Sequence, residues 1–112
     1  MAKKPPKKPP TVKKVFEETI FLKRPRRGAT LKEEVWQDED GSVVKYNLAY
    51  VNPLICAADH GRVLGYDNSH NYHHRHFMGT VEPVEFDKYE SLSERFYAEV
   101  IELWRKEDEE GT

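Results

Sequence analysis

All five histidines of the chain, His60, His70, His73, His74 and His76, fall within residues 60–76. Imidazole has an unperturbed pKa near neutral pH, so it gives or takes a proton with little driving-force penalty. Arg75 stands among them, and a guanidinium grips phosphate through a planar fork. Tyr66, Asp67 and Asn68 come just before, at the expected end of a strand. Together these residue types supply an acid, a base and an anion clamp.

Three readings fit that inventory. In the first, RNA is cleaved without a metal: one histidine takes the proton of a ribose 2′-hydroxyl, another protonates the leaving 5′-oxygen, and arginine stabilises the phosphate charge. In the second, His74 and His76 hold a metal from one strand face, with Asp67 or His70 completing the shell. Against it, no strict zinc spacing is present and no second cysteine helps. In the third, the histidines are exposed loop residues without catalytic use. Residue types alone leave all three open.

The elements that must position these residues are legible in outline. Val15 to Phe21 favours a strand, and the basic loop Lys23–Gly28 breaks it with Pro25 and Gly28. Leu31 to Trp36 forms the next strand, and Asp40-Gly41 supplies the positive φ of a tight turn. In Val43–Val51, Val44, Tyr46, Leu48 and Tyr50 alternate onto one face. A second hairpin is expected from Leu54–Ala58, the turn Asp59-His60-Gly61, and Arg62–Tyr66. Residues 73–78 read as extended, with His74, His76 and Met78 on one face and His73, Arg75 and Phe77 on the other.

The end reads as helix. Ser91-Leu92-Ser93-Glu94 has the form of a capping box, and Leu92, Phe96, Val100, Leu103 and Trp104 recur at helical spacing. Glu107 to Glu110 reads as a frayed, solvated end, because negative charge disfavours a helix C-terminus. The expected fold is α+β: an antiparallel sheet of about five to six strands with a C-terminal helix packed on one face.

At 112 residues the chain has room for one domain. Residues 1–14 are Lys/Pro-rich and read as a disordered tail, which leaves 15–112 as the folded domain. Residues 1–32 hold eleven Lys/Arg against two Glu, and the remainder is acidic, for a net charge of −2. A basic arm suits either plain solvation or contact with nucleic acid. Cys56, the one cysteine, lies in an apolar run and reads as a buried, inert thiol. No long apolar run and no secretory segment is present, so a cytoplasmic, reducing location without membrane contact is expected.

The runs Tyr46-Asn47-Leu48-Ala49-Tyr50-Val51, Gly61 to Asn68 and His73-His74-Arg75-His76 occur in that order. With Glu82 to Phe86 and Leu92 to Trp104 behind them, they resemble the TumE-like family of toxin–antitoxin proteins over residues 33–104. The chain departs from the family pattern in its Lys/Pro tail and in Asn71-Tyr72-His73. The resemblance implies a bacterial or archaeal toxin encoded beside a helix-turn-helix-type antitoxin, and it raises the weight of Tyr66, Asp67, Asn68, His74 and His76.

The expected function is therefore the toxin of a type II pair that inhibits growth by acting on RNA, as an endoribonuclease needing no cofactor and no metal. The rival is a binding module for nucleic acid or antitoxin, or a His-rich metal-binding domain. Expected catalytic residues are His74, His76, Asp67 and Tyr66. Arg75, Asn68, Arg24, Arg26 and Arg27 are expected to contact the substrate. Expected partners are the antitoxin, RNA and a second copy of the chain in a homodimer.

Overall fold

Runs of β-branched and aromatic residues alternating with polar ones form strands because one pleated face can then be buried while the other meets water. The computed structural model describes residues 11–110. Six strands pair there: β1 (Lys13–Phe21), β2 (Thr30–Gln37), β3 (Val43–Val51), β4 (Arg62–Asp67), β5 (His74–Phe77) and β6 (Thr80–Pro83). They make one sheet in chain order, every neighbour antiparallel. An α-helix, α1 (Tyr89–Glu110), follows and lies over β3 and β4. The α+β expectation holds.

The core lies between α1 and one sheet face. Leu31, Tyr46, Leu48, Tyr50, Leu64 and Tyr66 point from the sheet; Leu92, Phe96 and Val100 meet them from the helix. Burying a side chain such as Phe96 or Leu92 contributes roughly 1.5–3 kcal/mol. Cys56 is buried and unpaired, as expected. No helix among the described residues is long and apolar enough to cross a membrane.

Four local expectations differ. Leu54–Ala58 is not a strand: the Asn52 carbonyl accepts from the amides of Ile55 and Cys56, and the Asn52 amide donates to Gly61. The loop closes on itself before any ladder forms, and Leu54 is left exposed. Helix α1 starts at Tyr89, so Ser91 lies inside it and the capping-box reading fails. Met78 leaves the strand face: at φ 49° with Gly79 at 87°, it makes the two-residue turn between β5 and β6. Glu107 is held rather than frayed, since it accepts from the Tyr50 hydroxyl and from Arg26.

The Lys/Pro tail lies outside the described residues for positions 1–10. Lys13 and Lys14 already belong to β1, opposite Gln37 and Trp36.

Candidate active site

The sheet has a second face, away from α1, and the polar residues of β4 and β5 collect there. Asp67 ends β4 opposite His74 of β5, and His76 faces Gly65 two residues along. The Asp67 carboxylate is the hub. Its Oδ1 lies 2.7 Å from His74 Nε2, and its Oδ2 lies 3.1 Å from His76 Nε2. Oδ1 also accepts from the Ser69 amide and hydroxyl. His74 and His76 are buried, at 3% and 8% exposure, with ring centroids 4.8 Å apart.

Arg62 closes the cluster from the other side. Its Nη1 donates to Asp67 Oδ2 at 3.2 Å, its Nη2 reaches His76 Nδ1 at 2.9 Å, and its Nε donates to Asp59 Oδ2 at 2.7 Å. Strict alternation along β4 would put Arg62 beside Leu64 and Tyr66, under the helix. A bulge between Tyr50 and Val51 in the β3–β4 register re-aims it onto the Asp67 side.

The side chain then runs across Gly65, where a Cβ would stand 2.5 Å from Arg62 Cδ and 3.0 Å from the Leu48 carbonyl oxygen. Only glycine admits that crossing. Arg62 and Asp59 were missed from sequence, because a bulge leaves no period-two signature. The Arg62-x-x-Gly65 spacing was the one available signal.

The two imidazoles are set differently. His74 Nδ1 faces the Tyr72 carbonyl oxygen at 3.0 Å and Nε2 faces Asp67, so both nitrogens look at acceptors. His76 Nδ1 stands between a donor, Arg62 Nη2, and an acceptor, Asp59 Oδ2 at 3.3 Å. It therefore has a partner in either tautomer. Its Nε2 is buried and, being off-line to Asp67, makes no hydrogen bond.

Burial and then the Arg62 charge push His76 below the usual imidazole range. Burial pushes Asp67 up, but the bonds from Ser69 and the two imidazoles outweigh it and hold the carboxyl below its usual range.

Other expected site residues lie elsewhere. Tyr66 is buried under α1, where its hydroxyl donates to Glu99 and accepts from Arg75 Nε. Burial and then Glu99 push its hydroxyl up to about 12. Arg75 is on that same helix side, paired with Glu99 at 2.6 Å, as the alternation of β5 requires. Asn68 serves the sheet: its Oδ1 accepts from the Tyr46 amide and its Nδ2 donates to the Val44 carbonyl.

Arg26 grips the end of α1 through the Trp104 carbonyl, Glu107 and Asp108. Arg24 and Arg27 are exposed in the β1–β2 loop, at the end of the sheet away from Asp67. His60 and His70 are exposed, and His73 stacks on Phe86 at 3.9 Å and pairs with the Tyr46 hydroxyl.

Beside Asp67 a groove of about 240 Å³ opens on the same face. Trp36, Lys45, Asn47, Glu34 and Ser69 line it. Lys45 and Lys14 both lie against the Trp36 ring, at 4.7 and 5.0 Å.

The chain matches the family described as Toxin TumE over residues 15–105. No curated protein and no solved structure matches the chain.

Proposed function

The chain belongs to the TumE toxin family, and on that premise we propose that it inhibits growth by cleaving RNA in the cytoplasm. Family membership carries an antitoxin partner with it; we take that partner to be of the helix-turn-helix type, encoded beside the toxin. The observation that carries the RNA reading is the pair of imidazoles on one carboxylate, with opposite hydrogen-bond surroundings. His74 faces acceptors at both nitrogens, whereas His76 meets the Arg62 donor at Nδ1.

In this reading His76 exchanges its Nδ1 bond from Arg62 for one to Asp59, carries its own proton there, and takes the 2′-hydroxyl proton on Nε2. The 2′-oxygen attacks phosphorus, the bond to the 5′-oxygen breaks, and His74 donates its Nε2 proton to that oxygen. No metal is needed. Asp67 and Arg62 are positioning residues that hold both rings. Lys45 meets phosphate and Trp36 offers a stacking face in the adjacent groove, the pairing of charge and aromatic surface that single-stranded RNA uses. The imidazoles stand behind Asp67 in the free protein, so the exposed turn 69–71, tied to Asp67 through Ser69, is where substrate enters.

Expression in a bacterial host tests this. The double change His74→Ala and His76→Ala should restore growth at equal soluble protein, while Arg24→Ala with Arg27→Ala should not. A folded double variant as toxic as the parent would instead support a non-enzymatic binding module.

A further inference from the structure

Asp67, His74 and His76 each offer one ligand atom, and these atoms lie within 4.8 Å of one another. We propose that the three residues bind a divalent transition ion of the zinc class, which occupies the same imidazole nitrogens as the proton transfer and so switches it off. Ion binding stands apart from the RNA reading; only the inhibition rests on it.

Two observations point to a ligand here. The first is His76 Nε2, a buried nitrogen 3.1 Å from Asp67 Oδ2 that makes no hydrogen bond. An orphaned buried polar atom is costly and uncommon in a native fold. The second is the outer support. His74 Nδ1 faces the Tyr72 carbonyl, which fixes the ring with Nε2 inward. His76 Nδ1 can donate to Asp59, which frees Nε2 as a ligand. Imidazoles held by a carbonyl or carboxylate at the far nitrogen are the usual arrangement of metal-binding histidines.

Ligand type sets the ion. Two imidazoles and one carboxylate suit zinc, nickel, copper or iron, whereas magnesium and calcium prefer oxygen alone. Three protein ligands leave a fourth position open. Binding displaces the Nε2 proton of His74, so affinity rises with pH. Arg62 adds specificity of a negative kind: its charge beside His76 and Asp67 opposes a dication unless the carboxylates Asp59 and Asp67 both stay ionised.

The test uses the full chain and zinc chloride. Calorimetry should give one tight site per chain in the parent and in His60→Gln with His70→Gln, which removes the exposed histidines. His76→Ala should weaken it more than about 100-fold, beyond the loss of an outer support alone. Should that variant not fold, histidine ring resonances of the intact parent decide. One equivalent of zinc should move the signals of His74 and His76. Shifts confined to His60 and His70, or no one-to-one site, would overturn the proposal. Cleavage assays with and without zinc then read inhibition separately, so a protein that binds zinc but never cleaves RNA fails only the RNA reading. Faster cleavage with zinc would overturn the inhibition.

Discussion

Arg62 lies across Gly65, and its guanidinium binds Asp67 and approaches His76 at once. The site depends on that crossing. A methyl at position 65 meets both the arginine stem and the Leu48 carbonyl oxygen, and the carbonyl belongs to the sheet backbone and cannot swing aside. Gly65→Ala should therefore cost about 1–3 kcal/mol, the range of core overpacking. Chemical denaturation checks it. An unchanged midpoint would mean that Arg62 leaves the cluster freely.

Tyr66→Phe separates family signature from chemistry. The hydroxyl joins Glu99 and Arg75 beneath α1, on the face opposite His74 and His76. Its loss should lower stability by about 1–2 kcal/mol while toxicity per folded molecule stays at the parent level. Lost toxicity in a folded Tyr66→Phe protein would put the working site under the helix.

Arg26→Ala should act on stability alone. The side chain joins the β1–β2 loop to the last turns of α1, where Glu107 also accepts from Tyr50. A hydrogen bond to a charged group contributes about 1.5–3 kcal/mol, so thermal unfolding should drop by several degrees. A variant with unchanged melting but lost growth inhibition would return Arg26 to the substrate.

Acid stability should report Glu34. Burial pushes this carboxyl up, but Lys14 and Asn47 outweigh it and hold it below the usual range. A lowered carboxyl contributes stability that is full above its unfolded pKa and is lost as pH falls through the folded value. The parent should thus lose stability below about pH 4.5, the ordinary value, more steeply than Glu34→Gln. Denaturant midpoints across that range decide it, and parallel curves for the two proteins would refute the assignment.

The fold was legible wherever local pattern and tertiary packing agreed. Tyr46, Leu48 and Tyr50 alternate in sequence and are buried together; Leu92, Phe96 and Val100 recur at helical spacing and meet them. The reading failed where side chains redirect the backbone. Asn52 captures its own loop, so Leu54–Ala58 never pairs.

At the site, His74 and His76 were visible as residues sharing a strand face, and Asp67 as a carboxylate at the end of the preceding strand. Arg75 was separated from them by the same alternation. Arg62 was invisible because its face is set by a bulge, and the sheet clamp made by Asn68 was not legible because an amide suits both substrate contact and such a clamp.

The ends of the RNA fragments test the central claim most directly. Purified full-length protein is stripped with a chelator, verified metal-free by elemental analysis, and incubated with single-stranded RNA. Attack by the 2′-oxygen leaves a 2′,3′-cyclic phosphate on one fragment and a 5′-hydroxyl on the other, and these are the ends the His74–His76 mechanism predicts. Intact RNA, or fragments carrying 5′-phosphate and 3′-hydroxyl ends, would contradict it.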